Sequence, residues 1–487
     1  MTAARRDHKV AILGAGPGGL CMGIKLKQAG IEDFVIIEKG TGLGGTWYHN
    51  RYPGCECDIP SHLYSFSFEI KPDWTKPYAR QPEILEYLEG CANKYELGPH
   101  LAFNSTVRKL AWSDDDSRWD IELESGETVG ANMVVSAIGM FNDLVYPNIE
   151  GLDTFGGTSF HSARWNWDHD IRGKTVGVIG SAASAVQFIP EIVKEAGQVH
   201  LFQRTANWVL PKEDEPYTEE QLEHFRANPE VAQHIRDEIF TGTDRGEAFK
   251  NPEERVKYEA AGRQAISVVT DPDTREKLTP THIWGCKRPL FANNYYEAFN
   301  LPNIELITEG IQRVTERGVE TVDGKERELD TLVLATGFDA TKYLSVLDVT
   351  GRGGLDIQKA WEDGAQAYRG ITTAGFPNLF MLYGPNINMG SLITMIEWQT
   401  VHILKHIERI EQEQLAWIDV RPEPMAAYND TIQEDILSIE AWSSPTGCNT
   451  YYRAPSGRVV TQWPHTMGRY RDSIEQPEFE VYETAKR

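Results

Sequence analysis

Two strand–turn–helix–strand units constrain the fold of this chain more than any other feature. The first unit comprises a predicted buried strand at residues 9–13, a helix at 17–29 and a strand at 34–37 that ends at Glu38. The turn after the first strand carries the G-x-G-x-x-G spacing at Gly14, Gly16 and Gly19. In this context the spacing indicates a dinucleotide-binding fold, because the glycines permit a tight turn, close approach of a pyrophosphate and close packing of the helix.

The second unit repeats this pattern later in the chain. Residues 174–179 predict a strand, a helix follows to about residue 195, and residues 199–203 predict the next strand. The turn between them consists of Gly180, Ser181, Ala182, Ala183, Ser184 and Ala185. We therefore predict an α/β fold with two Rossmann-like dinucleotide-binding domains. Residues 211–280 are rich in Glu, Lys, Arg, Ala and Gln at helical spacing, which predicts a helical insertion.

The residue that ends the second strand of each unit indicates which nucleotide the unit binds. Glu38, 24 positions after the first glycine of its turn, accepts hydrogen bonds from ribose hydroxyls and favours FAD or NAD. Arg204 has the same offset in the second unit and, with Thr205, favours the 2′-phosphate of NADPH. Ala182 replaces the second glycine, and its methyl group would crowd a pyrophosphate. A second unit that keeps the fold but binds no nucleotide is the alternative.

Composition and charge narrow the class of protein further. The formal net charge of -24 argues against nucleic acid as a partner, because phosphate backbones attract basic surfaces. No run of about 18 apolar residues predicts a membrane span. The N-terminal residues lack the apolar region of a signal peptide, so we expect a cytoplasmic protein. We also expect a monomer or a weak homo-oligomer. We expect no metal site.

Six cysteines in 487 residues are too few for a disulfide framework, so we expect reduced thiols. Cys55 and Cys57 form a C-x-C pair, and a bridge across one intervening residue would be strained. Structural thiols are therefore expected. A disulfide reductase, which would need a reactive dithiol near a flavin, remains an alternative.

Several motifs point to one enzyme family. One group is Gly44-Gly45-Thr46-Trp47, Tyr52-Pro53-Gly54, Asp58 and F-x-G-x-x-x-H-x-x-x-W from Phe155 to Trp165. The other is Gln203-Arg204-Thr205-Ala206-Asn207-Trp208, Lys287-Arg288-Pro289, Ala335-Thr336-Gly337-Phe338 and the stretch from Cys448-Asn449 to Trp463-Pro464. Over nearly its whole length the chain resembles the type I Baeyer–Villiger monooxygenases.

The resemblance implies a division into domains. The FAD-binding domain would comprise residues 1–148 and 340–487, and the NADPH-binding domain residues 149–208 and 288–339. The helical insertion would be residues 209–287. A helix predicted from about Ser391 would direct its positive end toward the flavin.

The resemblance also implies roles for individual residues. Arg288 would face the flavin beside the nicotinamide, with Asp58 near it, while Lys287 joins the cations at the 2′-phosphate. His161 and Trp165 would couple the position of NADP to catalysis from outside the pocket. The other cofactor contacts implied are Gly45, Thr46, Trp47 and Tyr64 for FAD, and Gly180, Ser181, Ala182, Ser184, Arg204 and Thr205 for NADPH.

Less specific roles remain open for four of these residues. Asp58 precedes Ile-Pro-Ser and could be only a helix cap or turn residue. Arg288 could be a second phosphate contact, and His161 and Trp165, four positions apart, could simply pack together.

The implied reaction inserts one oxygen atom of O2 next to a ketone carbonyl through a C4a-peroxyflavin, which yields an ester or lactone. An arginine at Arg288 suits this chemistry because a guanidinium stabilises an anionic peroxide and the oxyanion that follows. Asn166 stands after Trp165, where proline or aspartate is usual, which leaves an N- or S-oxidising flavin monooxygenase as the alternative. A protein that only binds nucleotides is a further alternative. The segment 383–390 looks closer to hydroxyacetophenone monooxygenases than to the cyclohexanone type, which suggests an aryl or linear ketone.

Overall fold

The protein is described by a computed structural model that covers residues 6–244, 249–443 and 450–487. The strands in chain order are β1 Arg6–Leu13, β2 Phe34–Ile37, β3 Leu101–Ala102, β4 Val107–Ser113, β5 Arg118–Leu123, β6 Thr128–Ser136, β7 Thr158–His161, β8 Thr175–Ile179, β9 Gln198–Phe202, β10 Val209–Leu210, β11 Leu290–Phe291, β12 Ile304–Ile307, β13 Ile311–Val314, β14 Gly318–Thr321, β15 Glu326–Glu328, β16 Thr331–Leu334, β17 Asp348–Thr350, β18 Leu379–Met381, β19 Leu415–Val420 and β20 Tyr482–Lys486.

The α-helices in chain order are α1 Pro17–Gln28, α2 Thr46–His49, α3 Gln81–Lys94, α4 Ala183–Ile192, α5 Glu219–Ala227, α6 Pro229–Asp244, α7 Pro252–Ile266, α8 Pro272–Leu278, α9 Tyr295–Ala298, α10 Ile357–Ala360, α11 Leu392–Gln412, α12 Pro422–Leu437, α13 Glu440–Ser443 and α14 Met467–Ile474. Short 3₁₀ turns lie at Gly98–His100, Leu152–Thr154, Ser162–Arg164, Tyr343–Val346, Arg352–Gly354 and Phe479–Val481.

The first unit forms the centre of an eight-stranded sheet. Its strand order is β17-β4-β5-β6-β1-β2-β3, with β18 paired to β6. Strand β1 is parallel to both β2 and β6, and residues Val10, Ala11, Ile12 and Leu13 are buried. A continuous apolar run suits this position because helices cover both faces of a parallel strand. Helix α1 packs on α11, which follows β18 in the chain.

The second unit forms a parallel five-stranded sheet with the order β12-β9-β8-β16-β7. The predicted helix to residue 195 is shorter in the structure and ends at Ile192. The reason is that Lys194 donates its backbone N–H to the carbonyl of Glu191, three residues back, so the last turn is tighter than an α-helix. The mixed α/β fold with two Rossmann-like units is confirmed.

The two glycine turns have matching geometry. Gly14 has φ +100°, and a β-carbon there would lie 2.8 Å from the carbonyl oxygen of Ala137. Gly180 has φ +105°, and a β-carbon would lie 2.4 Å from the oxygen of Ala335. In both sheets the chain passes so close to the adjacent strand end that only glycine fits.

Helices α5, α6, α7 and α8 lie between β10 and β11 in the chain, and these two short strands pair with each other. Arg236 of α6 is buried and donates to the carbonyl oxygens of His62, Leu63 and Ser65, which ties the helices to the first unit. None of the helices in the described ranges has the length and apolarity needed to cross a bilayer.

The cysteines differ from the expectation at one position. Cys21, Cys55, Cys57 and Cys91 are free and buried, as expected. Cys286 is disulfide-bonded, so the expectation of reduced thiols throughout is wrong there. Spacing along the chain does not reveal whether the fold brings a given cysteine within bonding distance of another.

Candidate active site

A cavity of about 810 Å3 is lined by residues of both units. This volume lies within the roughly 300–1,000 Å3 of cofactor and small-molecule pockets. The predicted site residues that line it are Gly14, Gly16, Glu38, Gly45, Thr46, Trp47, Asp58, Tyr64, Ala182, Ser184 and Arg288. Those that do not line it are Gly19, His161, Trp165, Gly180, Ser181, Arg204, Thr205 and Lys287. Cys448 and Asn449 lie outside the described residues.

Glu38 is fixed at the carboxyl end of β2. One carboxylate oxygen accepts the backbone N–H of Ala15 at 2.8 Å, and the other accepts that of Gly40 at 2.7 Å. Each oxygen retains a lone pair for a further donor. The carboxylate is therefore held where it can accept hydrogen bonds from two neighbouring hydroxyls.

The wall beside the first turn consists of closely packed backbone. Gly45 has φ +56°, and a β-carbon there would lie 2.8 Å from the Cα of Gly16. A β-carbon at Gly19 would lie 1.8 Å from the carbonyl oxygen of Gly14, so Gly19 allows α1 to pack on the turn rather than facing the cavity. Gly16, Pro17 and Gly18 line the cavity, so an anion bound there would meet the positive end of α1.

Trp47 and Tyr64 form one rigid part of the wall. The indole Nε1 of Trp47 donates to the hydroxyl of Tyr64 at 3.1 Å, and their rings meet edge to face at 5.7 Å. Both side chains are buried apart from the cavity. The two rings therefore provide a fixed surface against which a planar ligand can pack.

The positive end of α11 faces the same cavity. Gly390 and Leu392 line it, and between them the Oγ of Ser391 caps the helix by accepting the N–H of Thr394 at 3.4 Å. The partial positive charge of a helix N-terminus stabilises negative charge on a nearby ligand. That this end points toward a bound flavin stays a prediction from the resemblance.

The turn of the second unit forms with alanine in place of its second glycine. Ala182 caps α4, and Ala182, Ala183 and Ser184 line the cavity. The Nδ2 of Asn207 donates to the carbonyl of Ser181 at 2.9 Å, which holds the turn against the segment after β9. Ala182 is exposed at the cavity wall, so the turn keeps an open face despite the alanine.

Arg204 and Lys287 bring two positive charges together beyond the cavity. Burial lowers the pKa of Lys287, and repulsion from Arg204 lowers it further. Within the described ranges neither Arg204 nor Lys287 takes part in an ion pair. Thr205, the residue after Arg204, lies next to the turn of the second unit, since its carbonyl oxygen is 3.5 Å from the Oγ of Ser181. Two cations without a carboxylate, next to the turn of the second unit, suit a phosphate group.

Arg288 and Asp58 form an ion pair at the cavity wall. The Nη2 of Arg288 lies 2.8 Å from Oδ1 and 2.6 Å from Oδ2 of Asp58. Attraction by this carboxylate raises the pKa of Arg288 above its usual value. The exposed fraction of the side chain is 15 % for Asp58 and 38 % for Arg288, because the guanidinium faces the open cavity. The cavity thus contains a permanently charged donor that is directed by a partly buried carboxylate.

His161 and Trp165 do not share a helix face. His161 ends β7 and is buried, while Trp165 follows the 3₁₀ turn Ser162–Arg164 and packs on Phe188 at 5.2 Å. The ring of His161 contacts Phe338 at 6.1 Å, and Phe338 lines the cavity. His161 therefore contacts the cavity wall through Phe338 and through the backbone of Gly337, whereas Trp165 packs on α4. A role of these two residues in coupling the position of NADP to catalysis stays a prediction.

The thiols near the cavity are held in the protonated form. Cys55 and Cys57 line the cavity, and burial raises the pKa of Cys55 to about 12. Burial and the neighbouring Asp58 raise the pKa of Cys57 as well. A disulfide reductase needs a thiolate at neutral pH, so the dithiol alternative receives no support here.

The sequence reasoning missed several residues of the wall. Gln187 lies one helical turn after Ala183 and also lines the cavity, a position that helical periodicity could have indicated. Tyr383 donates its hydroxyl to Oδ1 of Asn388 at 2.8 Å, and Tyr451 lies near Arg288. Burial raises the pKa of both tyrosines, so their hydroxyls stay neutral.

Comparison with known proteins identifies the family. Residues 11–267 match the family described as pyridine nucleotide-disulphide oxidoreductase. A Baeyer-Villiger monooxygenase of Pseudomonas aeruginosa is 42 % identical over 99 % of this chain and 92 % of its own. The structure of a cyclohexanone monooxygenase from Rhodococcus sp. Phi1 bound to NADP+ matches with a TM-score of 0.90 and 30 % identity, over 99 % of this chain and 100 % of the other. The structure of OTEMO in complex with FAD and NADP matches with a TM-score of 0.88 and 28 % identity, over 98 % and 99 %. The chain therefore belongs to the Baeyer–Villiger monooxygenases, the FAD- and NADPH-dependent enzymes that convert ketones to esters or lactones.

Proposed function

We propose that Arg288, directed by Asp58, is the group that stabilises negative charge during oxygen insertion next to the ketone carbonyl. The observation that carries this proposal is the ion pair in which both carboxylate oxygens lie within 2.8 Å of one guanidinium nitrogen. Bound FAD, once reduced by NADPH, supplies the reaction with O2. The contribution of the chain is to bind, orient and stabilise charge.

Asp58 leaves part of the guanidinium free for ligands. Its contacts go to Nη2, and among the described residues no acceptor takes the N–H groups of Nη1 or Nε. Arg288 lines the cavity, so these donors are available to an anionic oxygen that binds there. Preorganised donors of this kind stabilise developing charge without rearranging during the reaction.

The two ends of the cavity suit two dinucleotides. We assign FAD to the first unit, with the N-terminus of α1 at its phosphates, Glu38 at its adenosine ribose and the wall of Trp47 and Tyr64 near its ring. We assign NADPH to the second unit, with its pyrophosphate at the start of α4. The uncompensated charges of Arg204 and Lys287, together with Thr205, support a 2′-phosphate there.

The domain limits given by the resemblance are also proposed. Residues 1–148 with 340–487 would bind FAD, and 149–208 with 288–339 would bind NADPH. The five-stranded sheet and the position of α5 to α8 between β10 and β11 support this division. The aryl or linear ketone suggested by segment 383–390, the cytoplasmic location and the monomeric or weakly homo-oligomeric state remain predictions.

The proposal is tested by comparing a ketone with a sulfide as substrates of the Arg288→Ala variant. An enzyme that needs Arg288 to stabilise an anion loses ester formation when the side chain is removed. An N- or S-oxidising monooxygenase needs no such cation and would keep sulfoxide formation. Persistence of ester formation in Arg288→Ala, with FAD bound, would overturn the proposed role of Arg288.

A further inference from the structure

The backbone of Glu56 is held by one side chain of α4. The Oε1 of Gln187 accepts the N–H of Glu56 at 3.3 Å, and its Nε2 donates to the carbonyl of the same residue at 3.0 Å. The hydroxyl of Tyr52 donates to the same Oε1 at 2.9 Å. A single carboxamide thus satisfies both backbone groups of a residue 131 positions away in the chain.

The segment 52–58, here named the Asp58 loop, is pressed against α4 at this point. Gly54 has φ +73°, and a β-carbon there would lie 2.8 Å from the carbonyl oxygen of Gln187. The ring of Tyr52 also packs on Phe188 of the same helix at 6.0 Å. The shape of the Asp58 loop is therefore set by the surface of α4, which belongs to the other unit.

The carboxylate of Glu56 is anchored on its other side. It pairs with Lys76 at 2.7 Å and with Lys212, whose side chain is 2 % exposed. Lys212 follows β10, and β10 pairs with β11, which begins two residues after Arg288. Glu56 thus contacts α4, Lys76 and the residue that follows β10. Asp58, two positions after Glu56, is the partner of Arg288.

We propose that Gln187 is a positioning residue that sets the direction of Asp58, and through it of Arg288, from the helix whose N-terminus faces the cavity. The inference rests on the proposed function of Arg288 and Asp58. Ser184, one turn before Gln187, lines the cavity at the start of α4. Gln187 therefore fixes the position of Asp58, which orients Arg288, relative to a dinucleotide bound at the start of α4.

The test is a double-mutant cycle on the FAD-loaded enzyme, with ester formation and NADPH oxidation measured in parallel. Gln187→Leu removes both hydrogen bonds to Glu56 and should lower kcat for the ester by about tenfold or more, since a misplacement of about 1 Å can cost 10²-fold. NADPH oxidation without ester should rise, while KM for the ketone changes by less than about threefold, because the carboxamide of Gln187 is engaged by Glu56 and Tyr52 rather than offered to a ligand. In an Asp58→Ala background the same substitution should change residual ester formation by less than about twofold, as expected for residues that act in series.

Control variants keep the outcome interpretable. Gln433→Leu removes a side-chain amide that donates to the carbonyl of Val459 at 2.9 Å, away from the cavity, and should leave kcat and product yield unchanged. Gln187→Glu keeps the acceptor for Tyr52 and Glu56 but loses the donor, so its kcat should lie between those of the unsubstituted enzyme and Gln187→Leu. This variant carries the test if Gln187→Leu does not fold.

An equal fold-loss from Gln187→Leu in both backgrounds would overturn the inference, because a purely structural effect is independent of Asp58. Unchanged kcat in both Gln187 variants would overturn it as well. If Arg288→Ala still forms ester, the proposed function fails. If Arg288→Ala is inactive but the cycle is additive, only the role of Gln187 fails.

Discussion

Oδ2 of Asp58 lies 2.6 Å from Nη2 of Arg288, although the two residues are 230 positions apart in the chain. Asp58 ends the Asp58 loop, which packs against α4, and Arg288 precedes β11, so the pair joins the two dinucleotide-binding units at the cavity wall. An ion pair in this place fixes a charge where two cofactors and a substrate would meet. Its geometry is therefore the feature on which activity should depend most.

Asp58→Asn should lower kcat for ester formation by about 10²-fold, because the amide keeps the shape of the side chain but no longer holds the guanidinium to within about 1 Å of its position. The measurement is steady-state ester formation at saturating NADPH and ketone. Asp170→Asn, which alters an exposed carboxylate paired with Arg172 at 2.8 Å, is the matched control and should have full activity. Activity of Asp58→Asn within about twofold of the unsubstituted enzyme would contradict the orienting role.

Arg204→Ala should lower kcat/KM for NADPH by about ten- to a hundredfold, the range expected for losing a hydrogen bond to a charged group. kcat/KM for NADH should stay nearly constant, since NADH has no 2′-phosphate. Arg172→Ala, an exposed arginine with its own carboxylate partner, provides the control. Equal losses with both cofactors would show that Arg204 does not contact the 2′-phosphate.

The histidine pair in α11 should make folding stability depend on pH. Burial lowers the pKa of His402 to about 4 and that of His406 well below 6.5, and nearby Arg369, Lys405 and Arg409 disfavour protonation further. Both histidines stay neutral in the folded protein but titrate near pH 6.5 when unfolded. Their contribution to stability is therefore complete above pH 6.5 and is lost as the pH falls toward 4, by up to about 1.4 kcal/mol per pH unit for each histidine.

Urea unfolding at pH 7.5 and pH 5 measures this effect. His406→Leu replaces a ring that packs among Phe380, Phe479 and Tyr482, and it should reduce the difference in unfolding free energy between the two pH values. His224→Leu, at an exposed position of α5, should leave the difference unchanged. The same pH dependence in His406→Leu as in the unsubstituted protein would contradict the assignment.

Gly19 and Gly90 both lie within helices, but alanine should be tolerated only at Gly90. Gly19→Ala should lower the FAD content, whereas Gly90→Ala should raise the free energy of unfolding. A β-carbon at Gly19 would lie 1.8 Å from the carbonyl oxygen of Gly14, so α1 must move away from the turn and FAD should be retained poorly. A β-carbon at Gly90 meets nothing within 4 Å, so alanine there should stabilise α3 by about 0.5–1 kcal/mol. Flavin content after purification and the unfolding free energy are the measurements. Full flavin content in Gly19→Ala would contradict the packing argument.

The parts of the fold that depend on neighbouring residues could be predicted from the sequence. The glycine turns, the strand that ends at Glu38 and the insertion between the halves of the second unit follow from local spacing and periodicity. The end of α4 could not be placed, because the tighter last turn depends on backbone hydrogen bonds that composition does not reveal. The disulfide at Cys286 was likewise outside the reach of spacing.

The site was predictable only where a motif carries it. The pairing of Asp58 with Arg288 was expected from the resemblance alone, since nothing in either segment indicates a partner 230 positions away. The two hydrogen bonds between the carboxamide of Gln187 and the backbone of Glu56 were not expected, because they form where a helix of one unit packs on a loop of the other. Contacts between units depend on tertiary packing, which periodicity does not encode.

The most direct test of the reaction is to incubate the FAD-loaded protein with NADPH, an aryl or linear ketone and ¹⁸O2, and to analyse the products by mass spectrometry. The account predicts an ester that carries one ¹⁸O atom next to the former carbonyl carbon, formed in proportion to the NADPH oxidised. NADPH oxidation that yields only hydrogen peroxide with every aryl, linear and cyclic ketone tested would contradict the account.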